Sequence, residues 1–156
     1  MQFNFADIDG SFPRLATSQP GVLTGSGTLF VRRLIYGSDH RDLCLGDLTW
    51  EQIASAIFSL EGRHDVLIEG QEAYPYLVVG GGREGKYLVA AGQKHGVYFL
   101  SDPRSQEQEA FPVVLGGQLS EYAADLCVNG EMALNAAWSF VERGILLPSL
   151  RWVEDI

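Results

Sequence analysis

The 156 residues are 46% hydrophobic and 20% charged, the composition of an ordinary globular domain, which excludes the disordered and fibrous classes. Twenty acidic residues against eleven basic ones leave a net charge of -9, and Lys86 and Lys94 are the only lysines, so direct binding to nucleic acid or to an anionic membrane is disfavoured and a basic partner is suited. No apolar run approaches the ~20 residues of a bilayer span and no tripartite leader opens the chain, so the expected compartment is the cytoplasm.

The chain reads as one domain, 1–156, with an extension over 1–27 that mixes Phe3, Phe5 and Phe12 with the turn formers Asp9-Gly10, Pro13 and Gln19-Pro20-Gly21. A strand is expected over 28–35, a polar loop over 37–42 and a short return strand over 43–45, making a hairpin. The first helix is expected over 48–60. Thr49 is placed as its N-cap, Gln52 completes a capping box, and Leu48 with Ile53 forms a hydrophobic staple. Trp50, Ile53, Ala54, Ile57 and Phe58 then recur at helical spacing, and Gly62 is expected to end the helix.

Apolar runs at 66–68, 76–79, 87–91 and 97–100 follow, each too short for a helix, rich in β-branched and aromatic residues, and separated by glycine-containing loops. These predict an antiparallel meander. An apolar sheet face must be covered, so the fold expected is α+β: an antiparallel sheet of about four to six strands backed by two main helices. The chain then turns acidic over 101–109, returns to a strand over 111–115, and passes through Glu121 and Asp125 to a second helix. Asn129 is its expected N-cap, Met132, Ala133, Ala136, Ala137, Phe140 and Val141 its packing stripe, and Gly144 its C-cap before Pro148. The tail carries Trp152, expected to be partly buried.

Few residues point to chemistry. Gly80 to Gly85 contain a G-x-G-x-x-G pattern, but a strand rather than a helix follows, so no helix terminus is present to hold a pyrophosphate and the glycines read as a hairpin loop. His40, His64 and His95 stand on three separate loops without metal spacing. Cys44 and Cys127 are distant in sequence, in apolar settings, and read as reduced thiols. No catalytic residue, metal site or cofactor is expected, which favours a binding protein over an enzyme. The acidic residues instead cluster beside tyrosines: Asp39 with Asp42, Glu69 and Glu72 near Tyr74 and Tyr76, Asp102, Glu107 and Glu109 after Tyr98, and Glu121 beside Tyr122. Carboxylate beside tyrosine is the make-up of a patch aimed at a basic protein surface.

The order of elements, the opening Pro75-Tyr76-Leu77, and above all Leu115-Gly116-Gly117, Cys127-Val128, Ala136-Ala137, Phe140, Gly144, Pro148 and Leu150-Arg151-Trp152 resemble the first-described family of immunity proteins of bacterial polymorphic toxin systems, over about 48–152. The best-known members of that family protect against cytidine-deaminase toxins that act on nucleic acid. The resemblance implies no catalysis and tight binding to one cognate toxin, whose active site is covered. The matching positions Gly117, Ala137, Phe140, Pro148 and Trp152 look architectural. The toxin-facing residues expected on charge are therefore Asp39, Asp42, Glu69, Glu72, Tyr74, Tyr98, Asp102, Glu107, Glu109, Glu121 and Tyr122, with the free protein a monomer or weak dimer. A non-catalytic adaptor or chaperone for a secreted effector, or a small-molecule-binding module using the Gly80 to Gly85 loop, are the alternatives.

Overall fold

The structure, a computed structural model, describes residues 33–36, 41–44, 49–70 and 72–155. Its elements are β1 (Arg33–Tyr36), β2 (Arg41–Cys44), α1 (Trp50–Phe58), β3 (Asp65–Glu69), β4 (Tyr76–Gly81), β5 (Tyr87–Gln93), β6 (Gly96–Ser101), β7 (Phe111–Leu115), β8 (Gln118–Tyr122), β9 (Cys127–Val128), α2 (Gly130–Arg143) and β10 (Arg151–Glu154). The main sheet is antiparallel throughout, in the order β10-β6-β5-β4-β3-β1-β2, with β9 added on the edge of β5 and a separate hairpin of β7 and β8. The expected α+β architecture is present, with a larger sheet than the four to six strands anticipated.

Register assigns the two faces. Residues directly opposite one another in an antiparallel pair share a face. Val66, Val79 and Val89 form one such row, and Ile68, Leu77, Ala91 and Tyr98 the next. All but Tyr98 of these side chains belong to the core, together with Tyr87, Leu100 and Val128, and the two helices lie on them. The alternate row, Ile35, Leu67, Val78, Ala90, Phe99 and Val153, points the other way.

The Thr49 capping box forms in full. The Gln52 N–H donates to the Thr49 hydroxyl at 3.2 Å, and the Thr49 N–H to the Gln52 side-chain carbonyl at 2.9 Å. The expected partner in a staple, Leu48, lies outside the described residues. The helix is shorter than predicted: it stops at a Ser59 cap, and Gly62 serves instead as a splice to β4, its N–H donating to the Gly81 carbonyl at 2.8 Å. In α2 the Asn129 side chain accepts the Met132 N–H at 2.8 Å and Gly144 closes the helix at φ 69°, both as expected. The helices meet through Trp50 and Trp138, ring centroids 5.1 Å apart and edge-on.

Three strands were not expected. The chain after Gly117 folds back as β8, Cys127-Val128 completes β5 where β6 diverges, and the tail around Trp152 pairs with β6. The start of the return strand also moves, from 43 to Arg41, so Arg41 and Asp42 leave the expected loop and pair with Tyr36 and Ile35. The expectations for 1–27, and for strand residues before Arg33, fall outside the described residues.

Candidate functional site

The β7–β8 hairpin crosses β4 at Gly80. A Cβ there would sit 2.5 Å from the Val114 carbonyl oxygen and 3.2 Å from a Val113 methyl, so only glycine lets the two layers touch. The Gly116 N–H donates to the buried Asp65 carboxylate, which ties the hairpin tip to the start of β3. At its other end Tyr122 lies against Phe99, centroids 5.9 Å apart, and the Lys86 ammonium stands 4.9 Å over the Phe111 ring.

These contacts place Glu107, Glu109, Glu121 and Tyr122 around one hairpin. Glu107 binds Lys86 at 2.5 Å, and this hydrogen bond, opposed by slight desolvation, raises the Lys86 pKa. Asp102 starts the preceding connection, anchored by its own N–H to the Asp125 carbonyl at 2.8 Å. Burial alone would raise the Asp102 pKa, but the backbone N–H and guanidinium of Arg104 outweigh it and hold the carboxyl low. Asp102 and Glu107 are thus engaged within the chain. Glu109 and Glu121 are exposed and make no ion pair among the described residues.

A second group forms at the far end of the sheet. Register sets Glu69, Tyr76, Gly92 and Val97 in one row. The Tyr76 ring lies flat across Gly92, where a Cβ would meet it at 2.0 Å. Tyr74, 49% exposed, leans on Tyr76 with centroids 5.9 Å apart. Glu72, Ala73, Tyr74, Pro75, Gln93 and Lys94 then line an open groove of about 340 Å³. Glu69, Glu72 and Tyr74 are therefore neighbours, whereas Tyr98, one row away, stands opposite Ala91 and Glu154 on the helix-covered face. The groove residues Gln93 and Lys94 escape a reading of the sequence. Only the pairing of β4 with β5 brings them beside Tyr74, and the one available signal was Pro75 between two tyrosines. Asp39 lies outside the described residues, and for Asp42 the backbone pairing in β2 alone is described.

Among the described residues reactive groups do not converge. The Gly82 N–H donates to the Lys86 carbonyl at 2.7 Å, closing the glycine loop as a hairpin between β4 and β5. Cys127 is a free thiol whose pKa burial pushes up to about 11, the reverse of an activated nucleophile. Among the described residues no group of three His, Cys, Asp or Glu could hold a metal ion, and no helix is long and apolar enough to cross a membrane.

The decisive finding is a match to the family described as Immunity protein Imm1 over residues 48–154, a span that begins at the capped start of α1 and ends with β10. The chain belongs to the Imm1 immunity family. Immunity proteins of this kind bind a cognate toxin protein, and the family is generally non-enzymatic. No curated protein matches the chain. The residues that carried the resemblance in sequence are Imm1 scaffold: Ala137 and Phe140 are fully buried, Gly117 sits at φ 79° in the β7–β8 turn, and the half-buried Trp152 donates its ring N–H to the Leu147 carbonyl at 3.2 Å.

Proposed function

We propose that this Imm1 protein occludes a basic, nucleic-acid-targeting toxin domain of the deaminase type, and so protects the cell that makes both. The observation that carries the proposal is the family membership joined to a charge of -9. A toxin that grips phosphates presents a basic groove, and an acidic partner steers itself into such a groove, raising the association rate at low salt. Two surfaces supply carboxylates beside aromatic rings: the groove with Glu72 and Tyr74, next to Glu69 opposite Tyr76, and the hairpin with Glu109, Glu121 and Tyr122. At the hairpin, Glu107 and Asp102 are held by Lys86 and Arg104, surface pairs weak enough to exchange for a toxin's cations.

The test is co-expression with a candidate cognate toxin domain, joined to rapid-mixing kinetics on the purified pair. Glu72→Lys is expected to slow association roughly tenfold at low salt and to restore toxicity in part, with dissociation little changed. An unchanged association rate removes the groove from the interface. A toxin that stays fully active in the presence of the bound protein removes occlusion.

A further inference from the structure

A polar cleft of about 440 Å³ opens where β6 ends and α2 begins. Its walls include Asp102 and Arg104 from the connection after β6, Asn129, Glu131 and Asn135 from the start of α2, and Arg151 from β10. Asn135 is the unusual member. It is 93% buried by its 7% exposure, on a helix whose neighbouring Ala133, Leu134, Ala136 and Ala137 are at most 1% exposed, yet its amide makes no hydrogen bond among the described residues. The amide opens on the cleft, where its hydrogen-bonding capacity is left for water or a ligand.

The groups around it have a definite bias. Asn129 caps α2, a fourteen-residue helix, so the positive end of its dipole is turned on the same space. Arg104 spends only its Nε on Asp102, at 3.1 Å, leaving the outer guanidinium nitrogens for another acceptor. Arg151 is exposed and makes no ion pair among the described residues. The opposing carboxylates are Asp102, already engaged by Arg104, and the exposed Glu131. Two guanidinium groups, two carboxylates and an unspent amide leave donors in excess but no net charge. Glu131 repels a dianion such as phosphate more strongly than a monoanion, and a planar carboxylate can take a two-pronged hold on a guanidinium and a hydrogen bond from the amide.

We propose that this cleft binds a carboxylate, gripped by Arg151 and Arg104 at its mouth and by the Asn135 amide within. The carboxylate comes either from an acidic residue of the cognate toxin, which rests on the toxin-binding reading above, or from a small free carboxylic acid. In the first case the cleft would give an otherwise acidic protein one point of contact with opposite preference, which suits discrimination between toxins.

The experiment is a nuclear magnetic resonance titration of the full chain with blocked aspartate (N-acetyl-aspartate methylamide), blocked asparagine and inorganic phosphate. Blocked aspartate is expected to shift the Asn135 side-chain amide and the first-turn amides of α2 saturably, blocked asparagine is not, and phosphate is expected to bind at least ~10-fold more weakly. Asn135→Leu and Arg151→Gln should each weaken blocked aspartate ~10-fold. Arg151 is exposed, so its variant keeps the test valid where Asn135→Leu fails to fold. No saturable shift with blocked aspartate, phosphate binding as tight or tighter, or indifference to Arg151→Gln overturns the proposal. Displacement of the probe by the toxin assigns the carboxylate to the partner, and simultaneous binding assigns it to a free acid. Loss of probe binding with neutralisation intact defeats the cleft alone, while failed neutralisation with probe binding intact defeats the toxin reading alone.

Discussion

The two faces of the central sheet are built from the same strands and put to opposite ends. On the helix side Val66, Ile68, Leu77, Val79, Val89 and Ala91 are sealed from water, and α1 and α2 close over them with every apolar residue of their stripes buried. On the other side Leu67, Val78, Phe99 and Val153 are only partly buried, and the hairpin that packs on this face at Gly80 and Phe99 has a strand β8 exposed at four of five positions. Burying apolar area is what stabilises a domain, so the helix side holds the fold. Exposed hairpin and loop residues contribute little to stability and are free to differ between relatives, which is where a protein that must match one toxin can vary without unfolding.

The largest expected effect lies on the covered face. Phe140→Ala removes a fully buried ring from the centre of α2 and should cost about 3–5 kcal/mol in urea unfolding, enough to abolish folding in a marginal domain. A loss below 1 kcal/mol would mean the helix side is not the stabilising one. Gly80→Val tests the junction between the layers. Its side chain would collide with the β7 backbone, so about 1–3 kcal/mol should be lost and the hairpin amides should lose hydrogen-exchange protection before those of α2 do.

Tyr87 sharpens the comparison from within the core. It is fully buried, its hydroxyl has no partner among the described residues, and burial pushes its pKa up to about 12 from an ordinary value near 10. The neutral phenol is thus the form the fold holds. Its contribution is complete below about pH 10 and is lost as pH rises toward 12, because the unfolded chain gives up the proton first. Tyr87→Phe should raise stability by about 1 kcal/mol at neutral pH and flatten that alkaline decline, measured by urea unfolding across the range. Cys127, its thiol raised from about 9 to about 11, adds a decline of the same sign that sets in at lower pH and that the variant leaves in place. At the other extreme, Leu119→Ser on the hairpin, where Leu119 is 69% exposed, should change stability by less than about 0.5 kcal/mol while altering toxin affinity, read by calorimetry.

How much of this was legible in sequence follows the range of the forces involved. The Thr49 box, the Asn129 cap, the Gly144 terminus and the four meander strands depend on residues within a few positions of one another, and each is present where its pattern placed it. The strands β8, β9 and β10 have weak alternation of their own and exist because a partner strand offers free N–H and C=O groups. Gly62, a helix stop by local pattern, is instead claimed by a hydrogen bond to Gly81. The acidic residues were visible, but their division was not. Lys86 and Arg104 take Glu107 and Asp102, and strand register separates Tyr98 from Tyr76, on which Tyr74 leans.

Composition, capping chemistry and apolar period by themselves determined an acidic α+β domain with an antiparallel meander and two capped helices, because those signals are local or simply additive. Only the tertiary structure decided that Gly80 is a crossing point, that Gln93 and Lys94 join Tyr74 around one groove, and that Asn135 faces a cleft between Arg104 and Arg151. The reason is physical: those groups are brought together by strand pairing and layer packing across long stretches of chain, and no local preference encodes which partner arrives.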